Sequence, residues 1–401
     1  MVYFSVLSIT TLPRQVHAMR RFDSRLHIPK YILLKEEILN LIKDKQLKPH
    51  DKLPSRNELI RDYDVSEITV RKAIDELTNE GYVYRTHGKG TFVAEAKTDR
   101  FTIAMMAAHM YTMSDANYMY DIGFMAPIIH SVQQEACNQN ANLLLYFNHD
   151  DLQIEKQNLA SILSRGVDGL AILPGSEWYN AGYLGQLIRE GTPVVSVDRV
   201  MRGVEVDSVI SDNEAGAYKA TKTLIDAGFD KIHYFTSDHD FVTIKNRMAG
   251  YIRAMAEHGL SYENYLHVCP AALSMTSEEK GSYSIVKAVL KDAKPGFAVF
   301  AANTPVFVGV MNGMRELGLN VGDIGLACFD EPPIYVPDNV VYINVLQPLE
   351  DMGTRCVEII MDRLRDKAME PQHIMLSPKL RVNRNGAVEE VPVVKSERIN
   401  Y

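Results

Sequence analysis

Between residues 31 and 43, apolar side chains recur at the spacing of one face of a helix. The helix predicted over residues 31–43 has an apolar face made of Ile32, Leu33, Ile38, Leu41 and Ile42. Lys35, Glu36 and Asn40 fall on its other faces. The pattern therefore predicts an amphipathic helix that packs against the elements that follow.

Two short helices, a tight turn and a β-hairpin are predicted next. The second of these helices has an apolar stripe made of Val70, Ala73, Ile74 and Leu77. Val65 is placed to fill the corner before it, and Ser66 is placed to cap its first turn. Gly81 ends the helix, and residues 82–93 form two strands with a turn at residues 87–90.

Beyond residue 100 the pattern changes to short apolar runs that alternate with amphipathic stretches. The apolar runs lie at residues 102–107, 142–147, 167–173, 193–197, 231–235, 297–301 and 324–329. Such alternation predicts right-handed βαβ units and parallel sheets covered on both faces. Because the region exceeds one ordinary doubly wound domain, we expect two lobes, with a ligand cleft at the carboxyl ends of the strands.

Length and charge indicate several domains with different partners. The chain has 401 residues, of which 46% are hydrophobic and 23% charged, as in ordinary globular proteins. Residues 27–95 carry twelve basic and twelve acidic side chains, so the net charge of −8 lies mostly in the remainder. The remainder is therefore not expected to bind a polyanion, whereas the neutral segment needs only one basic face to bind phosphates.

We divide the chain at residues 1–26, 27–95, 96–100, 101–390 and 391–401, as an extension, a small domain, a linker, a two-lobed domain and a tail. The first residues lack the basic start and the cleavage site of a signal peptide. They form either a disordered tail or sequence that precedes a translation start at Met19. No apolar run approaches the ~20 residues of a membrane span. We therefore expect a cytoplasmic protein without a membrane partner.

Catalytic and metal-binding patterns are sparse. The cysteines are far apart and form no Cys-x-x-Cys pair, which indicates neither a zinc site nor a disulfide framework. The glycines around Gly88 do not have the spacing of a phosphate-binding loop, and the known hydrolase motifs are missing. We expect no catalytic residue, no metal and no cofactor.

The block LPSxxEL…VSxxTVRKAxxxLxxEGxxxxxxGKGTFV within residues 27–95 resembles the winged helix-turn-helix of the GntR regulator family. The resemblance implies that the second short helix enters the major groove of an operator and that the hairpin acts as a wing. The candidate DNA contacts are Arg56, Asn57, Ser66, Glu67, Ile68, Thr69, Arg71, His87, Gly88 and Lys89. A small domain of this shape could instead be a protein-interaction module.

Three positions depart from the family pattern. The family mostly has Arg where this chain has Glu67, Glu where it has Arg56, and Gly where it has His50. We expect Glu67 either to accept a hydrogen bond from a cytosine amino group or to pair with Arg71 one turn later. The operator sequence is therefore open.

Strings at residues 165–170, 193–199, 211–216, 247–250 and 347–353 follow one another in an order that resembles the LacI family's effector domain. This resemblance covers about residues 101–385. It implies the fold of periplasmic sugar-binding proteins. The expected fold class is α/β, with an N-terminal winged helix-turn-helix and a two-lobed periplasmic-binding-protein-like domain of doubly wound parallel sheets.

The resemblance also implies candidate ligand residues, each with a structural alternative. Arg247 is expected to bind ligand hydroxyls or to form a surface salt bridge, and Asp198 to contact ligand or to cap a helix. Gln347 matches a cleft position near the third crossover. Phe124 and Met125 either pack against a sugar ring or belong to the core.

Thr304 stands where many relatives of this second family have Asp, which weakens the case for a simple neutral sugar and leaves an acidic or phosphorylated one open. Asn213 is interpreted as a turn residue. The tyrosines of residues 109–121 either supply a stacking surface or belong to a mobile lid, and Trp178 is a further cleft candidate by position.

The expected function is a transcription regulator that acts as a homodimer, and repression is the expected sign of its action. It binds a double-stranded DNA operator and a sugar or sugar-derived effector. The alternatives are a ligand-activated activator, a sugar-binding transport component, and an enzyme with a regulatory DNA-binding appendage.

Overall fold

The computed structural model describes residues 29–43, 47–79, 81–86, 88–94, 100–107, 118–148, 151–174, 182–270, 275–332, 334–366, 368–384 and 386–394. These residues form two compact units that divide between Arg100 and Phe101. The predictions for residues 1–26, most of the linker, His87 and Trp178 lie outside the described residues, as do those for the side chains of residues 109–121.

The described residues of the first unit form three helices and a two-stranded antiparallel sheet. Its elements are α1 Lys30–Lys43, α2 Arg56–Tyr63, α3 Glu67–Asn79, β1 Val83–Thr86 and β2 Gly90–Val93. The stripe predicted on α3 is buried in a core that also includes Leu34, a position the predicted apolar face omitted. The fold predicted for this region is thus confirmed.

Local side-chain bonds explain where α2 and α3 begin. Ser55 and Glu58 form a capping box at the start of α2, in which each side chain binds the other residue's backbone N–H. The Ser66 hydroxyl accepts from the Thr69 backbone N–H at 3.2 Å, which caps α3 as expected. Asp64 between them adopts a left-handed φ of 52°, which turns the chain sharply.

His50 occupies the glycine position of the family pattern and adopts a glycine-like backbone. Its φ is +70°, in the left-handed region that favours glycine. The turn is held by a backbone bond from His50 to Val93 at 3.0 Å, and the His50 ring lies 3.2 Å from the Tyr84 hydroxyl. His50 therefore adopts a backbone conformation that glycine favours, although it carries a large side chain.

The second unit contains eight helices and thirteen strands among its described residues. Its helices are α4 Tyr118–Asn138, α5 Leu152–Arg165, α6 Tyr183–Arg189, α7 Asn213–Asp226, α8 Val242–Glu257, α9 Met275–Leu290, α10 Thr304–Glu316 and α11 Leu349–Arg365. Its strands are β3 Thr102–Ala107, β4 Asn142–Phe147, β5 Gly169–Ile172, β6 Val194–Val197, β7 Asp207–Ser211, β8 Ile232–Ser237, β9 Leu266–Cys269, β10 Ala298–Ala301, β11 Gly325–Phe329, β12 Tyr342–Leu346, β13 His373–Leu376, β14 Lys379–Arg384 and β15 Ala387–Pro392.

These strands form two sheets, which define two lobes. The first lobe has the parallel order β13-β7-β6-β5-β3-β4, and the second has the order β15-β14-β12-β11-β10-β8-β9. Alternate residues of β3 enter cores on opposite faces of the first sheet, with Met105 on one side and Met106 on the other. Tyr234 and Phe235 of β8 likewise enter cores on opposite faces of the second sheet, so both sheets are covered on both faces, as the apolar runs predicted.

Two features of the sheets differ from the prediction. The strands β7, β9 and β12 to β15 were not predicted, and β14 pairs antiparallel with both of its neighbours, β12 and β15. The strand β15 ends at Pro392, so the boundary placed at residue 390 cuts through it. Its side chains are mostly exposed, which explains why no apolar run marks it.

The chain crosses between the lobes three times. It leaves the first lobe after β7, returns between β12 and α11, and leaves again between β13 and β14. Gln347 lies at the second crossing, not near the third as expected. Each lobe is therefore assembled from segments that are distant in sequence.

Helices α7 and α8 approach closely at Gly250. A Cβ on this residue would lie 2.2 Å from the Glu214 carbonyl oxygen and 2.8 Å from the Tyr218 backbone nitrogen. We expect Gly250→Ala to force the helices apart and to lower the free energy of unfolding by about 1–3 kcal/mol, measured by urea denaturation. The matched variant Ala249→Ser, on the exposed side of α8, should change it by no more than about 0.5 kcal/mol. Equal stabilities would contradict this packing.

Two histidines lie side by side on neighbouring strands of the second lobe. His233 Nδ1 and His267 Nε2 are 3.0 Å apart, and the rings stack at 5.2 Å between centroids. Burial lowers the pKa of both imidazoles to about 4, and the neighbouring ring adds to this effect at His233. Both rings are therefore neutral in the folded protein at pH 7.

This pair predicts a loss of stability in mild acid. As the pH falls below about 6.5, these two histidines bind protons in the unfolded chain, whereas in the folded chain they do so only near pH 4. The folded state therefore loses stability between these two pH values. We expect the Tm to fall less between pH 7 and pH 5 in His267→Gln than in the wild type. His130→Gln, a histidine removal on the exposed side of α4, is the control. Parallel Tm curves for the wild type and His267→Gln would refute this expectation.

Candidate functional sites

Helix α3 presents an exposed polar face with one large apolar side chain. Ile68 is 70% exposed, although its neighbour Val70 is buried. Arg71 is exposed and has no hydrogen-bond or ion-pair partner among the described residues, whereas the Lys72 ammonium lies 3.8 Å from the centre of the Tyr31 ring. The free guanidinium and the exposed apolar group are suited to guanine edges and thymine methyl groups.

Arg56 and Glu67 form an ion pair between the starts of α2 and α3. The Arg56 Nη1 donates to Glu67 Oε1 at 2.6 Å. Glu67 therefore pairs with Arg56, not with Arg71 as one of the two expectations held. The GntR pattern has Glu and Arg at these two positions, and this chain has Arg56 and Glu67. The two departures are thus one exchange of charge within a single pair.

The described part of the hairpin has the geometry of a tight turn. Gly88 and Gly90 have φ of +71° and +120°, values that L side chains rarely adopt. Lys89 is exposed at the turn. Asn57 and Thr69 are exposed or half-buried near the starts of α2 and α3, so the candidate DNA contacts outside His87 all have access to solvent.

Arg247 lies at the centre of a polar cluster at the carboxyl ends of the strands. Its Nε donates to Asn213 Oδ1 at 2.7 Å and its Nη1 to the Ala302 carbonyl at 2.8 Å. Its guanidinium also covers the Phe329 ring at 3.8 Å and lies 3.7 Å from Asp330. Because Arg247 is buried, the alternative of a surface salt bridge is wrong.

Two aspartates from equivalent places in the two lobes meet near Arg247. Asp198 follows β6 and Asp330 follows β11, and both have left-handed φ values, of 65° and 70°. Burial raises the pKa of both carboxyls, and the Arg247 charge opposes this rise. Asp198 also raises the pKa of Asp330. No helix begins after Asp198, so its alternative role as a helix cap is wrong.

Several buried acceptors in this cluster are unused. Gln347 donates from Nε2 to Asp330 at 2.7 Å, but its Oε1 has no partner among the described residues. The same holds for Asp198 Oδ1 and the hydroxyl of Ser237. Buried polar atoms are rarely left without partners, so these atoms mark a surface that a hydrogen-bonding molecule can satisfy.

The other candidates have mixed positions. Thr304 is buried at the start of α10, where its hydroxyl bonds to the Cys328 thiol. Burial raises the pKa of this thiol, and the bond to Thr304 opposes that rise. Met125 belongs to the first lobe's core, and Phe124 packs against it. Asn213 begins α7 and orients Arg247, so it is more than a turn residue.

Asp330 and Arg199 were not among the candidates. The Arg199 guanidinium donates to the Pro174 carbonyl of its own lobe at 2.9 Å. It also lies 4.0 Å from the centre of the Phe241 ring, which brings the two lobes into contact. The strings Val-Asp-Arg and Phe-Asp-Glu each follow a predicted strand. The recurrence of Asp at the carboxyl end of a strand was the signal that could have identified Asp330.

Within the part of the chain that the structure describes, no cluster of metal-ligating side chains is found. No described helix is long and apolar enough to cross a membrane. All four cysteines are free thiols, three of them buried.

Comparison with known families accounts for both units. Residues 31–93 match the family described as bacterial regulatory proteins, gntR family, and residues 221–384 match the periplasmic binding protein-like domain. The chain therefore joins a gntR-type winged helix-turn-helix to a periplasmic-binding-protein-like domain.

Individual relatives share this arrangement. Two proteins named arabinose metabolism transcriptional repressor, from Halalkalibacterium halodurans and Geobacillus stearothermophilus, are each 28% identical to the chain. The matches cover 89% and 90% of this chain, and 96% and 98% of those proteins. A LacI family regulator from Enterococcus faecium, solved with bound ribose, matches with a TM-score of 0.56 at 19% identity, over 74% of this chain and all of that one. At that identity the likeness concerns the fold alone.

Proposed function

We propose that the chain is a repressor whose α3 reads an operator half-site and whose two-lobed unit binds a neutral sugar. The DNA-reading part is supported by the exposed face of α3, on which Arg71 has no described partner. A guanidinium of this kind binds the O6 and N7 atoms of guanine. Lys89 at the hairpin turn adds a contact to the phosphate backbone.

The observation that carries the sugar proposal is the set of unused acceptors between the lobes. Asp198 Oδ1 and Gln347 Oε1 require donors, which the hydroxyl groups of a sugar supply. Arg247 can in turn donate to a hydroxyl oxygen. A phosphorylated or acidic ligand would place its negative charge against Asp198 and Asp330, so we favour a neutral sugar over the anion that Thr304 left open.

Regulation then follows from linked equilibria. A ligand that binds between the lobes favours the arrangement in which they are drawn together. In a homodimer this change alters the spacing of two α3 helices, and with it the affinity for two operator half-sites. The repressor sign is supported by the names of the two 28%-identical relatives.

The test uses the full-length protein, DNA from upstream of its own gene, and a panel of free aldoses and sugar phosphates. Anisotropy titrations at low salt should detect specific binding to one duplex. Arabinose or ribose, or a similar aldose, should raise the Tm and release that duplex, whereas sugar phosphates should do neither. The proposal fails if no upstream duplex is bound in the absence or presence of the sugars.

The same panel separates the rival functions. An enzyme with a DNA-binding appendage would consume the sugar that stabilises it, which chromatography of the incubated mixture would detect. A transport component would bind sugar with no effect on DNA. Stabilisation without turnover, together with release of DNA, is expected only of the regulator.

A further inference from the structure

The Arg56–Glu67 pair joins the first residues of the two helices that form the helix-turn-helix. The pair is short, at 2.6 Å from Nη1 to Oε1, and both side chains are open to solvent, with 59% and 62% of their areas exposed. No other described side chain bonds to either residue. The guanidinium therefore keeps most of its donors free, and the carboxylate keeps one oxygen free.

Stability does not explain this pair. Ion pairs with this exposure contribute little to stability, because water screens both charges. Arg56 also stands in the first turn of α2, where the helix dipole disfavours a positive charge. Glu67 is suited to the start of α3 for the same reason, but it gains little from a solvated partner. A role in recognition of a ligand would explain why this pair is present.

The pair presents a donor and an acceptor side by side, and a G·C base pair presents the complementary groups in the major groove. Guanine offers the acceptors O6 and N7, and cytosine offers the amino group N4. The O6 and N4 atoms of the base pair are separated by one hydrogen bond, about 2.9 Å. The 2.6 Å between Arg56 Nη1 and Glu67 Oε1 matches this spacing.

We propose that Arg56 and Glu67 act together as the reader of one G·C base pair in each operator half-site. Arg56 donates to guanine O6 and N7, and Glu67 accepts from cytosine N4. The ion pair holds both groups at the spacing of the base pair, which lowers the conformational entropy lost on binding. This inference rests on the proposed reading of DNA by α3, and it adds α2 as the source of the guanine contact.

The test is selection of binding sites from a random-sequence duplex library by the full-length protein. The wild type should select half-sites with one fixed G·C pair that Arg56→Ala and Glu67→Ala no longer specify, while the other positions keep their preferences. The double variant Arg56→Glu/Glu67→Arg exchanges donor and acceptor, so it should select the inverted C·G pair. Arg355→Glu/Glu358→Arg exchanges an Arg–Glu pair on α11 and is the matched control.

A second measurement tests the guanine contact directly. Replacing the fixed guanine with 7-deazaguanine removes the N7 acceptor without changing base pairing. This should weaken wild-type binding roughly ten-fold, which is within the range for one lost bidentate contact, and should leave Arg56→Ala binding unchanged.

The outcomes separate the two proposals. If the wild type selects no sequence, the proposed DNA reading fails. If it selects a half-site whose every position is retained by Arg56→Ala, Glu67→Ala and the exchanged pair, then these residues form only a surface ion pair, and this inference is overturned while the regulator remains.

Discussion

Replacing Arg247 with alanine should abolish the response to sugar while operator binding is retained. Arg247 connects Asn213, the Ala302 carbonyl and Asp330, and it belongs to the same cluster as the unused acceptors of Asp198 and Gln347. Its removal deletes a donor to the ligand and leaves buried acceptors unpaired. The sugar that raises the Tm of the wild type should produce no shift and release no DNA.

The same variant should also lose stability. Removing one partner of a buried ion pair typically costs about 3–5 kcal/mol, so the Tm of Arg247→Ala should be lower even without sugar. Arg247→Lys keeps the charge but cannot make both bonds, and it should restore part of the stability without the sugar response. Arg253→Ala, on the more exposed side of the same helix, is the control and should respond to sugar normally. A normal response in Arg247→Ala would exclude this residue from the ligand site.

Replacing Arg71 with alanine should remove specific operator binding and spare the sugar response. Each lost bidentate contact to guanine costs about 1–3 kcal/mol, and a dimer on two half-sites would lose it twice. We expect affinity for the selected duplex to fall by about a hundred-fold, measured by anisotropy at fixed salt. Affinity for unrelated DNA should fall much less, since a single charge is removed from the phosphate-binding face.

The control for this variant lies beside it on α3. Lys72 also carries a positive charge, but its ammonium lies against the Tyr31 ring. Lys72→Ala should therefore leave the selected sequence unchanged. If Arg71→Ala binds the wild-type operator with wild-type affinity, then α3 does not read DNA through this residue.

Much of the fold was accessible from the apolar pattern, and the exceptions have physical causes. The buried runs of β3, β5 and β11 are continuous and apolar because helices cover both faces of their sheets. By contrast, β14 alternates polar and apolar residues, and β15 is mostly exposed. An exposed edge strand such as β15 differs little from a polar loop in sequence.

The sequence predicted some of the site residues and missed others. Arg247 and Gln347 were identified through family strings, but Asp330 was not among the predicted ligand residues, although it follows a predicted strand as Asp198 does. The Arg56–Glu67 pair spans eleven positions and two helices, so helical spacing pointed to Arg71 instead. The unused acceptors could not be predicted, since they depend on which atoms the fold brings together.

The three passages of the chain between the lobes have a consequence for how the protein tolerates truncation. Helix α11 supplies Met352, Cys356 and Ile360 to the first lobe's core, although nearly the whole second lobe precedes it along the chain. A gene fragment that stops before residue 349 would therefore lack α11, although it encodes most of the first lobe. Nonsense mutations late in the coding region should consequently damage both halves together, and neither half can be exchanged as one continuous block.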